Sequence, residues 1–156
     1  MIQPITSFSE EHGFLSNFFP VPHGIPVICG CTPPITVAPT VEHAFQSLKT
    51  ENVDECLAIL LAPTPGKAKR LGQRCTLRPD WNLMRIAVMQ KLLADKFSFT
   101  ELGERLLATG DAELIEGNTW GDTFWGCVQI DGAWVGENNL GKLLMELREK
   151  LRNEGG

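Results

Sequence analysis

The chain has 156 residues, a length that suits one domain. A domain of this size buries roughly two-thirds of its unfolded surface, so a core can form without staples. With 43% hydrophobic and 21% charged residues the composition is globular and excludes a disordered chain; the net charge of −5, with 14 Lys+Arg, excludes a global basic field acting on nucleic acid but leaves room for a local basic cleft.

Residues 1–40 hold seven of the ten prolines and read as strand and loop. Ile5 to Phe8 makes a short strand. Pro26-Val-Ile-Cys-Gly and Ile35-Thr-Val-Ala make a hairpin around Cys31 to Pro34. Thr40, after Pro39, caps a helix. Val41, Ala44, Phe45 and Leu48 then follow at i, i+3, i+4 and i+7, one buried stripe. A second helix covers Val53 to Leu61 and ends at Pro63-Thr-Pro-Gly. A short basic helix, Lys67 to Leu71, stops near Gly72. Pro79-Asp80 opens the longest helix, with Trp81, Met84, Val88 and Leu92 on one face. Ser98-x-x-Glu101 reads as a capping box for a helix that carries Leu102, Leu106 and Leu107 and ends at Gly110. Glu113 to Ile115 reads as a strand and Asn118 to Gly126 as a loop. Val128 to Ile130 and Ala133 to Val135 flank an Asp131-Gly132 turn, a hairpin. Asn138-Asn139 leads into the last helix, whose apolar face is Leu140, Leu143, Leu144, Leu147 and Leu151, with Glu146 and Lys150 paired at i, i+4 on the wet side. The sum is an α+β, predominantly helical single domain with a small β-sheet built from both ends of the chain.

The five cysteines, Cys29, Cys31, Cys56, Cys75 and Cys127, are odd in number and lack framework spacing. They read as reduced thiols, which makes the expected location cytoplasmic. Cys29-x-Cys31 has no second pair and no histidine cluster beside it, so neither a metal nor another cofactor is expected. No apolar run is long enough to span a bilayer, and the first residues lack the basic and apolar regions of a signal peptide. The sequence shows no repeat, low-complexity segment or linker.

Four segments carry candidate chemistry. On the first helix, Glu42, Gln46 and Lys49 share a stripe beside the core, placing a carboxylate, an amide and an ammonium at the rim of the buried face. The competing reading is a solvated flank with a weak Glu-Lys contact. His43 points the other way and reads as an exposed helix residue. In Glu116-Gly-Asn-Thr-Trp-Gly-Asp-Thr-Phe-Trp-Gly126, three glycines and two tryptophans share one loop. Their rings suit stacking on a base, and Asp122 suits a ribose hydroxyl or proton transfer; an aromatic minicore under the loop is the alternative. In Phe14-Leu-Ser-Asn-Phe-Phe-Pro20, Ser16 and Asn17 lie between large apolar residues and either reach a ligand or cap the backbone. Gly66-Lys-Ala-Lys-Arg-Leu-Gly72 lacks P-loop spacing; it either meets phosphates or is a solvated basic face. No pattern supports acyl transfer.

Taken together, these segments resemble the NADAR (YbiA-like) family. The resemblance rests on Phe14-Leu-Ser-Asn-Phe18, Val41-Glu-His-Ala-Phe-Gln-Ser-Leu-Lys49, Gly66 to Gly72, Leu77-Arg-Pro-Asp-Trp81, Met89 with Lys96-Phe97, Leu106-Leu-Ala-Thr-Gly110, Leu114-Ile-Glu116, Asp122 with Trp125-Gly126, and Gly136 to Met145 with Arg148. It runs from about Phe8 to Leu151, and one NADAR-type domain is expected over 1–156. The resemblance implies a YbiA-like fold and an N-glycosidase acting on a ribose–nitrogen bond. Some members resemble enzymes that cleave phosphorylated riboflavin-pathway intermediates; others remove ADP-ribose from guanine in nucleic acid. It implies catalytic roles for Glu42, Lys49 and Asp122. Substrate contacts are expected from Ser16, Asn17, Phe18, Gln46, Trp81, Trp125, Gly126, Asn138, Lys67, Lys69 and Arg70. The expected partner is ADP-ribosylated nucleic acid or a small ribosyl nucleotide, with no membrane and no metal. Family members often carry Tyr near the Ser-Asn-Phe motif and within the Glu-His helix; this chain has none, and Phe19 and Phe45 stand there. Residues Gly24 to Pro39 form a longer, more Pro- and Cys-rich segment than the family pattern leads one to expect. Two competing classes are a nucleotide sensor without turnover and a partner-binding domain with the tryptophans as core.

Overall fold

The structure, a computed structural model, describes residues 1–28 and 35–155. The elements run in the order 3-10 helix (Glu10–Leu15), β1 (Ile25–Ile28), β2 (Ile35–Ala38), α1 (Val41–Ser47), α2 (Val53–Leu60), α3 (Pro65–Gly72), α4 (Trp81–Phe97), α5 (Thr100–Ala108), β3 (Val128–Ile130), β4 (Ala133–Val135) and α6 (Asn139–Glu154). The chain divides into two compact units. One holds Met1–Ser16 with Phe97–Gly156, and the other holds Asn17–Lys96. The α+β, mainly helical class holds. Among the described residues, however, the strands form two separate antiparallel pairs, β1-β2 and β3-β4, and not one sheet. The Cys31 to Pro34 turn of the first hairpin lies outside the described residues, as do Cys29 and Cys31.

In the unit Asn17–Lys96, α1 packs against α2, α3 and the first hairpin. Thr40 caps α1 as its sequence position implies, with its hydroxyl accepting from the His43 N–H at 3.1 Å. All seven residues of α1 are buried, the polar ones included. A helix covered on every side has no wet face, so the expectation that His43 is exposed fails. His43 is 1% exposed. Its Nε2 lies 3.0 Å from the Ala62 carbonyl, which can only accept, so Nε2 is the donor. Its Nδ1 pairs with the Thr40 hydroxyl at 2.8 Å. Asn52 caps α2, and Thr64 caps α3 with Pro65 in its first turn. In α4 the buried line runs through Trp81, Met89, Leu92 and Leu93 to Lys96; Met84 and Val88 of the expected stripe are half-buried.

In the other unit, Ile5 bridges Leu114 in parallel. That one pairing is all that forms of the two expected terminal strands among the described residues. The β3-β4 hairpin has the expected register, with Val128 opposite Val135. Asp131 and Gly132, both at positive φ, make its turn. The capping box at Ser98 does not form, because α5 begins at Thr100 with Phe99 at the cap and no side-chain cap bond. On α6, Lys150 reaches Glu154, at 4.0 Å, where a Glu146 pairing was expected.

Candidate active site

The unit Asn17–Lys96 holds most of the polar candidates. Glu42 lies in the first turn of α1, where the helix dipole favours a negative charge. It is 7% exposed, and Gln46, one turn on, is 4% exposed. A solvated flank is therefore excluded. The Gln46 Nε2 donates to Glu42 Oε1 at 2.7 Å. The Gln46 Oε1 has no hydrogen-bond partner among the described residues and rests on the backbone of Gly72 in α3. The Glu42 N–H donates to the Asn17 carbonyl at 3.0 Å, which ties the Ser-Asn-Phe segment to the carboxylate-bearing turn. The Asn17 Oδ1 is likewise a buried acceptor without a partner among the described residues.

Lys49 is half-buried just beyond α1, its Nζ 5.7 Å from the Phe45 ring centroid. The side chain thus leans back along the helix over the residue one turn earlier. Burial pulls its pKa below the ordinary lysine value. The Glu42 charge and Cys75 pull it back up, and Lys69 pushes it further down. Cys75 is itself pushed up by burial, so its thiol is a poor nucleophile. Phe45 packs against Trp81 with ring centroids 5.0 Å apart. Trp81 is only 5% exposed and presents little ring face of its own. Lys67 and Arg70 of α3 are exposed and Lys69 half-buried; Phe18 is exposed.

The unit Met1–Ser16 with Phe97–Gly156 holds Ser16, Asp122, Trp125, Gly126 and Asn138. Asp122 Oδ1 accepts from the backbone N–H groups of Phe124, at 3.1 Å, and Trp125, at 2.9 Å, which fixes the carboxylate in the loop. Trp125 is half-buried, edge-on to Phe124 at 4.9 Å. The loop carbonyls of Phe124, Trp125 and Gly126 accept from the N–H groups of Asn139, Leu140 and Asn138. They supply partners for donors that the first turn of α6 leaves unpaired. With its cap supplied by backbone, the Asn138 side chain bonds elsewhere, accepting from Glu116 N–H at 3.0 Å and donating to the Leu114 carbonyl at 2.9 Å.

Two residues given no role by the sequence reading stand out. Asn118 is buried, and its amide reaches the carbonyls of Asp122 and Cys127 while accepting from the Asp122 N–H. Lys96 is 0% exposed, its ammonium 5.7 Å from the Phe19 ring centroid. A lysine is kept fully buried at a desolvation cost, so Lys96 joins the functional candidates. Among the described residues no group of three or more His, Cys, Asp or Glu can hold a metal ion, and no helix is long and apolar enough to cross a membrane.

The chain belongs to the NADAR domain family, whose model matches residues 6–152. N-glycosidase Npun_R5314 of Nostoc punctiforme is 39% identical over 151 residues, covering 92% of this chain and 88% of that protein. N-glycosidase YbiA of Escherichia coli K12 is 38% identical, covering 95% and 87%. Riboflavin biosynthesis protein VVA0006 of Vibrio vulnificus is 38% identical over 97% of this chain, which spans only 40% of that protein. The NMR structure of the E. coli protein YbiA superposes with a TM-score of 0.74 at 35% identity, covering 99% of this chain and 89% of that one.

Proposed function

We propose that this protein is an N-glycosidase that hydrolyses a ribose–nitrogen bond, removing ADP-ribose from guanine bases in nucleic acid. The observation that carries the reading is the buried Glu42 carboxylate held at 2.7 Å by Gln46, with half-buried Lys49 just beyond the end of the same helix. The names of the relatives at 38 and 39% identity support the reaction class.

Cleavage of such a bond passes through an oxocarbenium-like sugar, with positive charge growing at the anomeric carbon. Glu42 faces that charge and activates the attacking water. A fixed carboxylate out of bulk water interacts with it more strongly than a solvated one. Lys49, as the ammonium, orients Glu42. Asp122, with Oδ1 committed to the loop backbone, has Oδ2 for the ribose hydroxyls. Trp125 stacks on the leaving base; Trp81 backs Phe45. Lys67, Lys69 and Arg70 meet the phosphates. Asn138 holds the loop instead of touching substrate.

A second reading, cleavage of phosphorylated riboflavin-pathway intermediates, is favoured by the name of the VVA0006 relative. Both substrates are offered to the protein side by side, and products are followed by mass spectrometry. Release of free ADP-ribose with regeneration of unmodified guanine supports the first reading. Cleavage of the riboflavin intermediate alone replaces it with the second, and turnover of neither overturns both.

A further inference from the structure

The unit that carries Asp122 also carries a groove of about 750 Å³ that the proposed reaction does not use. Its walls are Thr6 and Ser7, the loop residues Gly117 to Thr119 and Gly121, and Val128, Gln129 and Trp134 of the β3-β4 hairpin. Among the described residues no charged side chain lines it. The polar groups are hydroxyls and the amides of Asn118 and Gln129, and the flat surface is the half-buried Trp134 indole. The indole lies against Gly117, where an added Cβ would come within 2.7 Å of its Cη2 and would collide with the Thr6 carbonyl. The ring is therefore seated on backbone and presented in a fixed pose. Trp120, between two lining residues, is 64% exposed, a large apolar surface at the edge of this loop.

An uncharged groove with one fixed aromatic face and several neutral hydrogen-bonding groups does not suit a phosphate. It suits a heteroaromatic ring with amide-like edges, a nucleobase. The loop that forms one wall continues into Asp122, and Asn118 bonds both the Asp122 N–H and its carbonyl. A base in the groove would therefore lie beside the loop that carries the proposed sugar-binding carboxylate. We infer that this groove binds an unmodified base of a single strand next to the nucleotide being processed. The inference rests on the N-glycosidase reading and gives it a polynucleotide substrate.

Binding is tested with a fluorescein-labelled, unmodified ten-nucleotide single strand, by anisotropy, with free nucleosides as competitors. Stacking on one ring is worth roughly 5- to 150-fold in affinity. Trp134→Ala is expected to weaken binding by about tenfold or more, and Trp134→Phe to keep most of it. Because the stacked base carries no charge, the fold-loss should be the same at low and high salt. Should Trp134→Ala not fold, a strand carrying 5-iodouracil is photocrosslinked to the wild type, with adducts expected within residues 117–134. Strand binding unaffected by either variant, or crosslinks confined to other segments, overturns the inference. Competition by free nucleosides as effective as by the strand assigns the groove to a small molecule and also overturns it. Loss of the N-glycosidase reading would show separately, as absence of ADP-ribose release with the crosslink still in place.

Discussion

Gln46 holds Glu42: the amide Nε2 donates to the carboxylate at 2.7 Å, one turn along a helix buried on every face. The oxygen at the other end of the amide is pressed against Gly72. Replacing Gln46 with Leu removes the donor at similar volume. We expect kcat to fall at least tenfold while the fold survives, since a misplaced carboxylate costs rate more than stability. Steady-state kinetics with a circular-dichroism melt check this.

Gly72→Ala reaches the same carboxylate from the other side. An added methyl would collide with the Gln46 amide, its Cδ only 2.7 Å away. Overpacking of this kind costs about 1–3 kcal/mol. Urea denaturation should show that loss, and activity should fall with it because Gln46 must turn away from Glu42.

The first helix also shows how much the sequence carried. The spacing of Val41, Ala44 and Phe45 located α1, and Glu42 and Gln46 share one stripe of it, whereas Lys49, expected on the same stripe, lies just beyond its end. Periodicity presumes one wet face, however, and α1 has none, so His43 was misplaced. Lys96 escaped for a related reason: hydrophobic patterning counts every lysine as solvent-facing, and nothing local marks one buried beside Phe19. Asn118 reads as a loop former, whereas its role as a hub depends on carbonyls up to nine residues away. The Ser98 box failed because the helix starts one residue later than the motif requires, at Thr100 with Phe99 as its cap. The second hairpin was legible from its Asp131-Gly132 turn and the β1-β2 pairing from its two flanking strands, but whether the pairs join one sheet depends on tertiary packing that no local pattern encodes.

Asn118→Ala removes the bonds to the Asp122 and Cys127 carbonyls and to the Asp122 N–H together. Leaving buried backbone groups unpaired costs about 1–3 kcal/mol. The loop that fixes Asp122 should loosen, so KM is expected to rise more than kcat falls. Equal KM for variant and wild type would show that Asp122 does not bind substrate.

The role of Lys49 is read from pH. Burial lowers its pKa from the ordinary lysine value. If the ammonium orients Glu42, activity falls as pH rises through that lowered value, before the ordinary lysine range is reached. If the neutral amine attacks the sugar, activity rises through the same pH, and borohydride traps an adduct on Lys49. The first pattern is expected. Lys49→Met should abolish the alkaline limb together with most of the activity.

Glu55 is a separate test of stability. Its carboxylate accepts from the Thr50 hydroxyl at 2.7 Å and from the Thr76 N–H and hydroxyl at 2.8 and 2.9 Å, which lowers its pKa, with Thr50 the leading cause. A carboxylate whose folded pKa lies below its unfolded value stabilises the fold above the unfolded value. The contribution is lost as pH falls from there through the folded value. Thermal melts should therefore show wild type above Glu55→Gln at neutral pH, with the gap closing in acid.

The most direct test of the central claim uses guanine-ADP-ribosylated single-stranded DNA with wild type and Glu42→Gln in parallel, with free ADP-ribose followed by mass spectrometry. Release by wild type is expected, at a rate about 10²- to 10⁴-fold above that of the variant. Equal rates in the two proteins, or no release by either, would contradict it.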